Sequence, residues 1–125
     1  MTYKIVVVGA TGAVGLELLN VLNERQFPIS EIAAVASKKS SGKELSFGNK
    51  KLSVVSIDQF DFSGWQIALF SAGARISEKY APIAASKNCI VIDNSSFWRM
   101  NPDVPLIVPE VNPQEVKNFT KKNII

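Results

Sequence analysis

The sequence predicts a single α/β domain built on a largely parallel sheet, and three observations point there. Apolar runs of strand length recur along the chain, they are continuous rather than alternating, and segments of helical spacing separate them. A continuous run suits a strand covered on both faces, and a parallel connection needs a crossover, which a helix supplies. With 125 residues, 46% of them hydrophobic, one globular unit is expected.

The elements follow in order. KIVVV, residues 4–8, is the first expected strand, and GLELLNVLNERQ, 15–26, is the first crossover helix, with Leu16, Leu19, Val21 and Leu22 near one face. EIAAVAS (31–37), KLSVVSI (51–57) and QIALFS (66–71) read as buried parallel strands. ISEKYAPIAASKN (76–88) is the second crossover helix, in which Pro82 predicts a kink or a late start. CIVIDN (89–94) and PLIVP (105–109) are the remaining strands. NPQEVKNFTKKN (112–123) carries a full helix signal: Asn112 as N-cap, Pro113 at the first position, Glu115 to complete a capping box, and Lys121 and Lys122 at the C-terminal end. Ile124 and Ile125 look like the start of one more parallel strand, cut off before it pairs and leaving apolar surface uncovered.

Charge and residue content narrow the function classes. The net charge is +3, from 14 basic and 11 acidic residues, and the lysines cluster at 38–51 and 117–122 instead of forming one stripe, which argues against nucleic acid. The N-terminal apolar stretch is too short for a signal region or a membrane span, and the single Cys89 cannot form an internal disulfide, so a cytoplasmic location is expected. No histidine occurs, which removes the side chain that most readily moves protons near neutral pH. Cys89 begins an apolar run and is expected to be a buried structural thiol. No metal site is expected.

The stretch VVVGATGAVGLELL places Gly9, Gly12 and Gly15 between a strand and a helix. Such a junction gathers unpaired N–H groups and the positive end of a helix dipole at one point, an anion site that fits a pyrophosphate. Gly9 allows the turn, Gly12 the close approach of phosphate, and Gly15 the packing of helix on sheet, which makes the fold a Rossmann-like NAD(P)-binding domain. The spacing is GxxGxxG, and a tight strand-to-helix turn alone could use the same glycines. At the end of the second strand no acid stands ready for a ribose hydroxyl; Ser37, Lys38, Lys39, Ser40, Ser41, Gly42 and Lys43 form a basic, hydroxyl-rich loop suited to a 2'-phosphate, which favours NADP.

Taken in order, GATGAVG, ASKKSSGK, FSAG, DNSSFWRM and VPEVN resemble the N-terminal region of the aspartate-semialdehyde dehydrogenase family over essentially all 125 residues. The resemblance implies NADPH-dependent reduction of aspartyl phosphate to aspartate semialdehyde with release of phosphate, in lysine, methionine and threonine biosynthesis. It puts the cofactor loop on Gly9, Ala10, Thr11, Gly12, Ala13, Val14 and Gly15, the 2'-phosphate contacts on Ser37, Lys39, Ser40 and Lys43, and the nicotinamide side on Ser71, Ala72 and Gly73. Lys39 stands where the family commonly has Arg. The substrate phosphate falls on Asn94 and Arg99, a guanidinium that binds bidentately beside an amide donor, with Phe97 and Trp98 as anchors beneath. The family's mechanism also needs a cysteine nucleophile in an Asn-Cys-Ser or Asn-Cys-Thr turn and a histidine, and neither is found here. The implied picture is a dinucleotide-binding domain over 1–125, incomplete, without the C-terminal catalytic and dimerisation domain of a homodimer or higher oligomer, and inactive by itself. Another acyl-phosphate reductase of the superfamily, such as N-acetyl-gamma-glutamyl-phosphate reductase, or a non-catalytic NADP-binding module, stays open beside it.

Overall fold

The computed structural model describes residues Met1 to Ile125. Five parallel strands form the main sheet: β1 (Tyr3–Val8), β2 (Ile29–Ala36), β5 (Val55–Ser56), β6 (Ile67–Phe70) and β7 (Ile90–Asp93), in the spatial order β5-β2-β1-β6-β7. A separate antiparallel pair joins β3 (Glu44–Phe47) to β4 (Lys50–Ser53).

The continuous apolar run of β1 follows from burial on both faces. Val6 and Val8 face one core with Phe62, Phe70, Ala81 and Val91, while Val7 faces the other with Leu19 and Ala34. All three valines are essentially inaccessible, and full burial of a valine side chain stabilises by about 1.5 to 3 kcal/mol. Helix α1 (Ala13–Glu24) covers one face and α2 (Ala74–Ser86) lies against β6 and β7.

The two helices meet the sheet differently, α1 through one glycine and leucines and α2 through small residues. On α1 the buried positions are Gly15 and Leu19, with Leu18 and Leu22 packed alongside. Leu16, expected on that face, points outward and is 41% exposed, because the close approach is made at Gly15 and rotates its neighbour away. On α2, Ser77, Ala81 and Ala84 repeat at helical spacing and are buried. The helix starts at Ala74 and runs through Pro82, which lies on the exposed side, where water can satisfy the carbonyl that proline leaves unpaired.

Four expected elements differ. The run 51–57 is not one strand. Lys50–Ser53 turns back on Glu44–Phe47 through Gly48 and Asn49, with Leu45, Phe47 and Leu52 packed toward α1, and only Val55 and Ser56 join the parallel sheet beside Val35 and Ala36. Residues 105–109 form no strand, since Pro105 and Pro109 lack the N–H that a ladder requires. Pro113–Lys121 is a 3-10 helix with no buried residue, not an α-helix. Asn112 does not cap it: its side chain accepts from the Val108 N–H at 2.8 Å and donates to the Leu106 carbonyl at 2.8 Å, and it meets Glu115 side chain to side chain at 3.1 Å. Finally, the segment at Ile124 does pair. Ile124 is buried and bridges Val91 in parallel; the Val91 N–H donates to the Asn123 carbonyl, and the Ile125 N–H donates back to Val91 at 2.7 Å.

Candidate dinucleotide and anion site

Parallel strands end on one edge, so the segments that follow β1, β2, β6 and β7 come together there. From β1 the chain moves outward through β2 to β5 and then returns to β6 on the other side of β1. The strand order therefore reverses between β1 and β6, the crevice where open α/β sheets hold ligands.

The glycines divide the work as their environments require. Gly9 has φ +85 and lies so close to the Ser71 carbonyl that a Cβ would overlap it. At Gly15 a Cβ would overlap the Gly9 carbonyl and lie 2.8 Å from the Ala10 Cα, so this glycine sets the distance between α1 and the turn. Gly12 differs: its φ of −78 suits any residue, and a Cβ would meet only the Gly9 carbonyl oxygen, at an ordinary 3.6 Å. Nothing in the protein needs Gly12 to be small, and the space around it is otherwise open. Ala13 and Val14 begin α1 beyond this cradle, with no side-chain cap at the helix start, and both are exposed.

The loop after β2 is held against the glycine turn. Thr11 and Ser40 share a hydroxyl contact of 3.4 Å, and Ser40 is only 9% exposed. Its N–H donates to Ser37, the Lys43 N–H donates to Ser40, and Val54 donates to the Lys43 carbonyl, which pins the loop to the strand lead-in. Ser37, Lys39 and Lys43 are exposed, and none of the lysines of this loop is in an ion pair, the one pair in the chain being Lys4 with Glu31. The loop thus offers unneutralised positive charge beside the glycine turn, whereas the Ser40 hydroxyl, grouped with these contacts in the sequence, is turned inward to Thr11.

Ser71, Ala72 and Gly73 follow β6 directly. The Ser71 N–H donates to the Val8 carbonyl at 2.8 Å, and Gly73, with φ +90, opens α2. The Asn94 side-chain amide donates to the Ser71 hydroxyl at 3.1 Å, which joins this turn to the segment after β7. Arg99 Nη2 reaches the Asn94 carbonyl at 3.5 Å and has no carboxylate partner. Asn94, Trp98 and Arg99 share a cavity of about 530 Å³ with Phe70, Ile92 and Leu106. A guanidinium and a carboxamide thus line one cavity, and both are groups that can donate to an anion. Phe97 and Trp98 stack edge to face, with Trp98 half-buried and Phe97 40% exposed. The sequence reading missed Ser77 and Asp93, which lie beneath this loop; an Asp at a strand end just before Asn-Ser-Ser is a turn signal that could have marked one of them.

Cys89 is fully buried, and desolvation pushes its thiol up to about 12, so it remains a thiol at neutral pH. With no histidine in the chain and its one thiol buried, these residues hold no activated nucleophile.

A strand-order reversal, a glycine cradle at a helix start and a charged loop after the second strand define a nicotinamide-dinucleotide-binding α/β domain. Comparison with known proteins narrows the class: residues 4–119 match the family model described as semialdehyde dehydrogenase, NAD binding domain, and the chain belongs to that family. It is 56% identical to the aspartate-semialdehyde dehydrogenase of Rickettsia bellii over 123 residues, 98% of this chain and 36% of that protein. Identity to the enzyme of Aquifex aeolicus is 52% over 126 residues, covering 100% of this chain and 37% of the relative. The crystal structure of aspartate semialdehyde dehydrogenase II complexed with ASA from Vibrio cholerae matches with a TM-score of 0.97 at 47% identity, over 100% of this chain and 41% of that one. The chain thus spans little more than a third of the length of these curated relatives.

Proposed function

We propose that residues 1–125 are the NADP-binding part of an aspartate-semialdehyde dehydrogenase acting in the cytoplasm, and that the whole protein reduces aspartyl phosphate to aspartate semialdehyde and phosphate as a homodimer or higher oligomer. The observation that carries the cofactor choice is the loop after β2. Its Lys39 and Lys43 are exposed and unpaired, its Ser37 hydroxyl is free, and the Thr11 to Ser40 contact holds it next to the glycine turn, where a 2'-phosphate would need it.

In this reading the N–H groups around Gly9 to Gly15 hold the pyrophosphate, and Gly12 lets it reach the backbone. Ser71, Ala72 and Gly73 line the nicotinamide side. Asn94 and Arg99 hold the phosphate of the substrate or of the product side, where the planar guanidinium gives a two-point grip. Bound NADPH supplies the hydride. The nucleophile and the acid–base group lie outside these residues, because the one thiol is buried and protonated and no imidazole is available.

The test is calorimetric titration of the chain with NADP+ and NAD+, followed by an assay for NADPH formation from aspartate semialdehyde and phosphate. Tighter binding of NADP+ without turnover supports the reading. Equal affinities would remove the cofactor argument, and turnover lost on Cys89→Ser would make Cys89 the nucleophile.

A further inference from the structure

The segment that carries Asn94 and Arg99 sits on a closed ring of hydrogen bonds. Asp93, the last residue of β7, accepts on one carboxylate oxygen from the Ser95 N–H at 2.9 Å and on the other from the Ser95 hydroxyl at 2.7 Å and from the Ser77 hydroxyl. The Ser95 hydroxyl in turn accepts from the Phe97 N–H at 3.3 Å, and the Ser77 hydroxyl accepts from Trp98 Nε1 at 3.1 Å. From Asp93 one arm therefore reaches residue 97 through Ser95, the other reaches residue 98 through Ser77, and the peptide between Phe97 and Trp98 closes the ring.

The ring is costly to build for packing alone. Ser77 is 1% exposed on the inner face of α2, among alanines, where an apolar residue would avoid the desolvation of a hydroxyl. A carboxylate beside an anion-binding arginine is also unfavourable if it faces the anion. Here its oxygens are occupied by donors of the ring, so its part cannot be that of a ligand. What the ring does achieve is to fix residues 95, 97 and 98 against β7 and α2, leaving the exposed Asn94 and Arg99 on a short span with fixed supports.

We propose that Asp93, acting through Ser95, Ser77 and Trp98, is the positioning residue that sets Asn94 and Arg99 in place to take an oxyanion. This rests on the reading of Asn94 and Arg99 as an anion site. Preorganisation of this kind raises affinity because the loop has no ordering left to lose when the anion arrives.

The experiment uses the 125-residue chain labelled for NMR, with inorganic phosphate as the probe. In Asp93→Asn and, separately, Ser95→Ala, backbone order parameters over 95–99 are expected to fall from about 0.85 to below about 0.6 while those of β1 and β6 stay unchanged. The phosphate affinity read at the Asn94 and Arg99 side-chain resonances should drop about tenfold, the effect of losing one hydrogen bond to a charged group. NADP+ affinity should remain within about twofold of wild type, and Ser95→Thr, which keeps the hydroxyl, should retain both the order and the phosphate affinity. Ser95→Ala removes two bonds of the ring without touching the buried Ser77, so it decides the matter if Asp93→Asn does not fold. Unchanged order parameters in the folded variants would overturn the proposal. A wild-type chain whose Asn94 and Arg99 resonances ignore phosphate would overturn the anion-site reading instead, and the order parameters would still decide whether Asp93 holds the loop.

Discussion

Replacing each of two glycines of the turn by alanine separates binding from folding. At Gly12 an added Cβ meets only the Gly9 carbonyl oxygen at 3.6 Å, and the backbone φ of −78 accepts alanine. Alanine is a poorer N-cap than glycine, but it also reduces the entropy of the unfolded chain by about 0.4 to 1 kcal/mol, so the two effects nearly cancel. We expect Gly12→Ala to leave stability within about 1 kcal/mol of wild type, a melting shift of no more than about 5 °C for a domain of this size. At Gly15 the same methyl would overlap the Gly9 carbonyl and press on the Ala10 Cα at 2.8 Å, and the obstacle is backbone in a turn fixed by two hydrogen bonds to Val35. Gly15→Ala should therefore cost about 3 kcal/mol or more. Dinucleotide affinity should run in a different order from stability. In the proposed site the Gly12 methyl would stand in the path of the pyrophosphate, so even a fully folded Gly12→Ala chain should lose one or two charge-assisted hydrogen bonds, at least tenfold in Kd. Urea unfolding and calorimetric titration of the same preparations measure both quantities. A Gly12→Ala chain that binds NADP+ like wild type, or that is as destabilised as Gly15→Ala, would refute the assignment of Gly12 to the ligand.

Three further outcomes are expected. Lys39→Ala should weaken NADP+ several-fold and NAD+ hardly at all, and the difference should shrink at high salt because Lys39 is exposed; equal losses for both cofactors in titration would remove Lys39 from the 2'-phosphate. Arg99→Lys keeps the charge and loses the two-point grip, so NMR titration should show weaker binding of inorganic phosphate with NADP+ binding unaffected. Burial raises the Cys89 thiol from an ordinary 9.0 to about 12, so between these values the unfolded chain releases a proton that the folded chain keeps, and stability falls with rising pH. Urea unfolding above pH 9 should then show Cys89→Ala losing less stability than wild type, the gap growing by up to about 1.4 kcal/mol per pH unit, and parallel pH profiles would contradict the buried thiol.

The parts of the fold legible in the sequence are those where one local rule decides the outcome. Val6, Val7 and Val8 announce a strand buried on both faces, and Gly9 and Gly15 stand where backbone meets backbone. The hairpin of β3 and β4 is masked in the sequence because the apolar residues of 51–57 run across its end; the alternation of Leu45 and Phe47 and the Gly48-Asn49 turn are the signals against a single strand. The 3-10 helix at Pro113–Lys121 shows a strong capping pattern losing to context, since Asn112 spends its side chain on the 106–108 segment and the helix buries nothing to hold it in α form. In the candidate site, residue identity and chain order are enough to put the glycine turn after β1 and the lysines after β2. The inward turn of Ser40 and the ring joining Asp93 to Ser77 depend on contacts between segments 16 or more residues apart, which no local pattern encodes.

The central claim, that this domain seats a nicotinamide dinucleotide across the ends of β1, β2 and β6, is tested most directly by an NMR shift map of the labelled chain titrated with NADP+. The account predicts saturable shifts at Gly9 to Gly15, at Ser37 to Lys43 and at Ser71 to Gly73, with the Ser37 to Lys43 set much weaker when NAD+ replaces NADP+. Shifts confined to other surfaces, or none at concentrations that saturate dinucleotide domains, would contradict it.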